Sequence, residues 1–298
     1  MRNLTILAVL IGAAGLTFAA EAPAAEGEKM SIQIERKTCA APDGVTIVYS
    51  VCGKGEPALL FIHGGLADRT FWEGQLEAFG RGHRVVALDL AGHRESGANR
   101  TKWGIPEFGA DVKAVADAEK LDQMVLFGNS LGGPVAVEAA LLMPARVLGV
   151  VGVDTFQRVD YAISREHVEQ RAEAFREDFA GSVKEMTKML FHPDADPAVM
   201  ADAERRMSRT SPEAAHDMFL GMAGYDLAAA ARKLTVPLRA VNGDLLPTDV
   251  EGVRKIKADF DVIVMKHMGH YPMLERPGEF NADVAAVVAE LVRGRAEK

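Results

Sequence analysis

The sequence predicts an α/β chain built on a mostly parallel, doubly wound sheet with a leading antiparallel hairpin. Three observations carry this. Short, continuously apolar runs, Ala58 to Ile62, Arg84 to Asp89 and Gln123 to Phe127 among them, alternate with segments of helical spacing, as expected of parallel strands buried on both faces. Ahead of them, Ser31 to Thr38 and Val45 to Val51 each alternate apolar with polar residues around Asp43-Gly44, the pattern of a hairpin. The chain also has 298 residues, 48% hydrophobic and 26% charged, enough for one large domain with an insertion.

The elements follow in order. After the hairpin and the Ala58 strand, Phe71, Leu76 and Phe79 form a helical crossover to the Arg84 strand. Phe108, Val112, Val115 and Ala116 recur at helical spacing before the Gln123 strand, and Pro134 to Met143 follows that strand as a packed helix. Val147 to Val153 is a further strand. Alternation then stops: from about 156 to 233 the chain reads as several helices, with breaks near Gly181, His192-Pro193, Pro197 and Ser211-Pro212. Met186, Met189, Met200, Met207, Met218 and Met222 lie in this segment, soft side chains suited to an adaptable apolar cavity. Strands resume at Val236 to Val241 and Asp261 to Met265, and a helix from Pro277 to about Arg293 closes the chain. The expected organisation is therefore a signal segment over 1–24, a core from 25–155 and 234–298, and a helical cap over 156–233.

The net charge of −8 and the lack of any basic run exclude a nucleic-acid groove. Met1-Arg2-Asn3, the apolar run from Leu4 to Phe18 and the small residues ending in Ala22-Pro23-Ala24 follow the grammar of a secretory signal peptide, too short for a membrane anchor. A periplasmic or secreted location is the expectation. Cys39 and Cys52 would then meet an oxidising compartment, but a turn centred on Asp43-Gly44 sets Cys39 opposite Val48 and Cys52 opposite Glu35, too far apart for a disulfide.

The chemistry gathers where strands end. Phe127-Gly128-Asn129-Ser130-Leu131-Gly132-Gly133 places one hydroxyl between two glycines at a strand-to-helix turn, the arrangement of a nucleophile elbow. The helix that follows presents unpaired N–H groups, that of Leu131 first, to an oxyanion beside the serine. A serine hydroxyl needs a base, and His270 in Met268-Gly269-His270-Tyr271-Pro272 follows the last strand; His267 is a weaker candidate. The imidazole needs a carboxylate. Asp244 and Asp154 both follow strands and both give the order Ser, Asp, His; Asp244 is favoured because it belongs to the strand just before the histidine loop, and Asp249 is a third choice. In His63-Gly64-Gly65 the Gly65 N–H is the expected second oxyanion donor, a role Leu66 could share, while His63 is read as bracing the loop. No G-x-G-x-x-G, P-loop or metal-spaced cluster is present, so neither cofactor nor metal is expected.

These residues together resemble the α/β-hydrolase fold superfamily, in its lid-bearing, esterase-like branch. The resemblance covers about residues 45 to 292 and rests on His63-Gly64-Gly65, Asp89 to Ser96, the elbow around Ser130, and Gly269 to Pro277. It implies Ser130 as nucleophile, His270 as base, the backbone of Gly65 and Leu131 as oxyanion hole, and residues 156–233 as the cap over the pocket. The implied function is cleavage of small to medium carboxylic esters through an acyl-enzyme, with a small-molecule ester as partner. Lactonase, carbon–carbon bond hydrolase and perhydrolase activities, and a non-catalytic ligand-binding protein, are the alternatives. Three positions depart from the family pattern: Arg94 stands where glycine is usual, Asp244 directly follows Gly243 instead of lying further on, and Asn129 replaces a common histidine.

Overall fold

The computed structural model describes residues 32–160 and 165–296. The expected signal segment over 1–24 lies outside these residues. Strands β1 (Glu35–Ala40), β2 (Thr46–Cys52), β3 (Ala58–Ile62), β4 (Val85–Leu88), β5 (Met124–Asn129), β6 (Val147–Val153), β7 (Leu238–Gly243) and β8 (Asp261–Met265) form one eight-stranded sheet in the order β1-β2-β4-β3-β5-β6-β7-β8. β1 pairs antiparallel with β2 and β2 with β4; every later pairing is parallel. The central strands β3, β5 and β6 are buried along their whole length, which is why they carry no alternation.

Helices cover both faces. α1 (Glu73–Phe79) and α11 (Pro277–Ala296) pack together, and α11 lies against β6 and β7; α2 (Ile105–Ala118) and α3 (Gly132–Leu142) pack together, with α3 against β3, β5 and β6. Phe61 on β3 stacks on Phe127 of β5 with centroids 4.8 Å apart and meets Trp72 at 5.0 Å, joining the sheet to the 3-10 turn Arg69–Trp72. Each such fully buried ring contributes roughly 2–3 kcal/mol of burial free energy.

Between β6 and β7 the chain forms α4 (Arg165–Glu177), α5 (Phe179–Leu190), α6 (Pro197–Met207), α7 (Pro212–Gly221) and α8 (Leu227–Lys233). Their starts follow from their caps: Asp178, Asp196, Ser211 and Asp226 accept from the N–H of Gly181, Ala198, Ala214 and Ala229, and Pro197 and Pro212 occupy the first helical position. The break expected at Gly181 thus falls at Asp178, and Gly181 lies within the first turn of α5. Two short helices were not foreseen, α9 (Val250–Ile256) and α10 (Pro272–Glu275).

The hairpin register differs by one residue from the expectation. Cys39 pairs with Ile47 and Glu35 with Val51, because the turn runs from Ala41 to Val45, with Gly44 in the left-handed region at φ 85° and Ala41 N–H donating to Val45 O at 2.8 Å. Cys39 and Cys52 are both free thiols. Burial pushes the Cys39 thiol up to about 11 and raises that of buried Cys52, whose Sγ lies 3.3 Å from the Leu76 carbonyl. Among the described residues no helix is long and apolar enough to cross a membrane.

Candidate active site

Ser130 lies between β5 and α3 with φ 52°, a left-handed conformation that costs an L-residue about 1–2 kcal/mol. Its N–H donates to the Val153 carbonyl at 3.2 Å, and its own carbonyl accepts from Gly133 N–H at 2.9 Å, so the strain is held from both sides. The flanking glycines are required by close approach: a Cβ on Gly128 would run into the Gly132 carbonyl, and one on Gly132 would lie 2.5 Å from the Ile62 carbonyl. Ser130 remains partly accessible while β5 before it is buried throughout.

Asp154 is the carboxylate that meets His270. His270 Nδ1 lies 2.5 Å from Asp154 Oδ2, and Asp154 Oδ1 accepts from Gly243 N–H at 3.0 Å. The carboxylate paired with the histidine is thus not the favoured Asp244, whose Oδ1 instead accepts from Met268 N–H at 3.2 Å and whose carboxyl is held low chiefly by that bond. The reason lies in the strand order. β6 lies between β5 and β7, and Asp154 itself takes φ 44°, which turns its side chain onto the rim, where Gly243 at the end of β7 supplies a donor instead of an acid. Asp249 is excluded more simply: its carboxylate caps α9 by accepting from Gly252 N–H at 2.9 Å.

The loop after β3 runs beside the serine. A Cβ on Gly64 would lie 3.0 Å from Ser130 Cβ, and one on Gly65 would lie 3.4 Å from Met218 Cε and 3.9 Å from Leu131 Cδ2. Gly65 thus lies beside the side chain of Leu131, the residue of the other expected oxyanion donor. Leu131 is also the N-cap residue of α3, so its N–H has no intrahelical acceptor. Leu66 is buried with φ 63°, and its carbonyl accepts from Thr210 Oγ1 at 3.2 Å.

His63 braces this loop. Leu90 N–H donates to its Nε2 at 3.0 Å, so the proton sits on Nδ1, which donates to Gly64 O at 2.7 Å. A second proton would have to face the Leu90 N–H. Burial accordingly lowers the His63 pKa to about 4 and that of buried His93, beside it at 4.7 Å between rings, to about 3. Both fall below the unfolded value of about 6.5, so the unfolded chain takes up protons first and stability is lost as pH falls from about 6.5 toward 4. For His63 alone the loss is about 2 kcal/mol by about pH 5. Burial raises Asp89 to about 6, an effect of opposite sign, so the histidine contribution is read as a difference between proteins. In His63→Gln the melting temperature should fall less than in wild type between about pH 7 and about pH 5; parallel declines would contradict the assignment.

Arg94 takes φ 44°, the conformation for which glycine is suited, and its guanidinium lies 3.5 Å from the buried Asp68 carboxylate. Asp89 holds the neighbouring turn by accepting from Arg69 N–H at 2.8 Å and pairing with the Arg69 guanidinium.

The helical segment reaches the site through α7, where fully buried Met218 lies against Gly65. Arg206 Nη1 also donates to Thr70 O at 2.9 Å, and Tyr225 OH to Glu138 Oε1 on α3 at 2.8 Å. Not all of its methionines face the rim. Met186 and Met189 line a cleft of about 620 Å³ between α4 and α5 with Phe175 and Ser182, and neither Ser130 nor His270 is on it.

Three residues have positioning roles that the sequence did not indicate: Asn129, noted only as replacing a common histidine, and Glu275 and Asn242. Asn129 Nδ2 donates to Val153 O at 2.9 Å and to His270 O at 3.0 Å, so the amide before the serine ties the elbow to the histidine loop. The Glu275 carboxylate accepts from Gly269, Tyr271 and His192 N–H at 3.2, 3.3 and 3.4 Å. Asn242 Oδ1 accepts from Thr155 N–H at 3.2 Å, fixing the residue after Asp154. The available signal was a buried-strand polar residue at a strand end in the two asparagines, and a carboxylate one turn after His270 in Glu275.

A sequence model of the alpha/beta hydrolase family matches residues 59–283. The chain is 26% identical over 257 residues to the pimeloyl-[acyl-carrier protein] methyl ester esterase of Nitrosospira multiformis, covering 80% of this chain and 97% of the relative. It is 23% identical over 264 residues to 3-oxoadipate enol-lactonase 2 of Acinetobacter baylyi, covering 85% and 96%. A thermophilic esterase from Thermogutta terrifontis superposes with a TM-score of 0.76 at 23% identity, covering 86% of this chain and 99% of that one, a likeness of fold. Curated relatives of 33 and 32% identity match more locally: the chain spans only 29 and 44% of their length.

Proposed function

Because the chain belongs to the alpha/beta hydrolase family, we propose that it is an exported serine hydrolase that cleaves small to medium carboxylic esters through an acyl-enzyme. The observation that carries this reading is the pairing of His270 Nδ1 with Asp154 Oδ2 at 2.5 Å on the rim that bears the strained Ser130. With Nδ1 engaged by the carboxylate, Nε2 is the nitrogen left to accept a proton from Ser130 Oγ. The hydroxyl oxygen attacks the acyl carbon, the proton passes to Nε2, and the negative charge develops on the carbonyl oxygen between the N–H groups of Gly65 and Leu131. Collapse breaks the ester C–O bond, and the leaving alkoxide takes the proton from His270. Water then attacks the acyl-enzyme by the same route, giving its proton to His270 and releasing the acid and Ser130. Asp154 does not exchange protons; it holds the tautomer and stabilises the imidazolium.

The esterase and the enol-lactonase named among the relatives support an ester-type bond, since a lactone is a cyclic ester. The test is hydrolysis of p-nitrophenyl esters of increasing acyl length. The reading predicts turnover, with a burst of p-nitrophenol when deacylation limits; no turnover of any ester would contradict it.

The helices over 156–233 act as a cap, and α7 sets acyl size. Met218→Ala should shift preference toward longer acyl groups and lower stability by about 2–5 kcal/mol, because a buried side chain beside Gly65 is removed. Met189, 57% exposed on the separate cleft, should leave the preference unchanged when replaced by alanine. Equal chain-length profiles in Met218→Ala and wild type would remove α7 from the pocket.

Export rests on the order of charged start, apolar run and small residues in the first 24 positions. Intact-mass measurement of the periplasmic protein should show their removal; a mass beginning at Met1 or Met30 would contradict it.

A further inference from the structure

We propose that His192, Asp194 and His267 form a zinc site that ties the helical segment to the loop carrying His270. The three come from two loops. His192 and Asp194 follow α5, and His267 lies between β8 and His270, so linear spacing gave no sign of a cluster. One possible ligand atom from each residue falls within a 4.8 Å set. Asp194 Oδ2 lies 3.5 Å from His192 Nδ1 and 3.8 Å from His267 Nδ1. Ligands at about 2.0–2.2 Å from a tetrahedral ion stand about 3.3–3.6 Å apart, so small side-chain rotations close the set.

The chemistry suits zinc. Two imidazoles and one carboxylate match Zn²⁺, whereas Mg²⁺ and Ca²⁺ favour oxygen ligands alone. His192 Nδ1 already accepts from Asp194 N–H at 3.1 Å, so that nitrogen carries a lone pair and no proton; coordination replaces this bond. The His192 backbone is held by Glu275, and its side chain is only 16% exposed, which fixes one ligand beforehand. Asp194 and His267 side chains are 73 and 70% exposed, leaving an open path for the ion and a fourth position for water. The consequence concerns the catalytic loop. Leu190 O, two residues before His192, accepts from His270 N–H at 2.7 Å, so an ion bridging His192 to His267 reinforces the contact that seats His270.

Calorimetric titration of the tag-free protein with zinc chloride tests this without any activity readout. The site predicts saturable binding of one zinc per chain and no binding of Mg²⁺ or Ca²⁺. Zinc should also raise the melting temperature. His267→Asn removes an imidazole while retaining a residue that tolerates the φ of 53° found there, and Asp194→Ala removes the carboxylate. Each should weaken zinc binding at least tenfold and abolish the thermal shift. Absence of saturable binding in wild type, or a loss smaller than tenfold in either variant, would overturn the proposal.

Discussion

Ser130→Ala should lower kcat by more than about a thousandfold while leaving the melting temperature essentially unchanged. The rate follows from the role proposed for the hydroxyl: without it no acyl-enzyme forms, and the residual rate comes from substrate binding and the two backbone donors alone. The stability follows from the elbow. Its strain at φ 52° is held by backbone bonds to Val153 and Gly133 and by contacts at Gly128 and Gly132, none of which involves the serine oxygen. Alanine keeps the same Cβ at the same backbone angle. A variant with more than about a tenth of wild-type activity would remove Ser130 from the chemistry.

Asp154→Asn should cost about a hundredfold to ten-thousandfold in kcat, and Asp244→Asn only a few-fold at most. The asparagine at 154 can still accept from Gly243 N–H through its Oδ1, so the rim is kept. Its amide would then donate to His270 Nδ1, which forces the remaining proton onto Nε2 and leaves no lone pair for the serine. At 244 the replacement keeps an acceptor for Met268 N–H and touches nothing on His270. The pair is measured as kcat and melting temperature for each single variant and the double. Comparable partial losses in both singles would mean that the histidine draws on both carboxylates, contrary to the geometry.

The contrast between these aspartates shows where the sequence stops being informative. Strand grammar located every strand of the sheet to within a few residues, because burial on two faces leaves an unbroken apolar run; it was least exact at the hairpin, where the alternation at Ile32 and Ile34 lies ahead of β1, and β2, paired on both sides, is buried along most of its length. The elbow was equally legible, since steric demand at Gly128 and Gly132 is written directly as glycine. Asp154 and Asp244, by contrast, both follow strands, and the choice depends on the left-handed backbone at Asp154 and on Gly243 N–H being directed at Asp154, neither of which leaves a local pattern. The methionines fared likewise: helical spacing cannot say that Met218 meets Gly65 while Met189 faces another cleft. A glycine at 181 suggests a break, but the Asp178 carboxylate sets the start of α5 and Gly181 supplies only the capped N–H. The hairpin register slipped for a similar reason, the turn being one residue wider in effect than its Asp43-Gly44 signal.

Covalent labelling tests the central claim most directly. The protein is treated with a fluorophosphonate and examined by intact mass, followed by peptide mapping. The proposed mechanism predicts a single adduct on the Ser130 peptide, no adduct in Ser130→Ala, and much slower labelling in Asp154→Asn than in Asp244→Asn. Labelling of a different residue, or none under conditions in which ester turnover is measured, would contradict it.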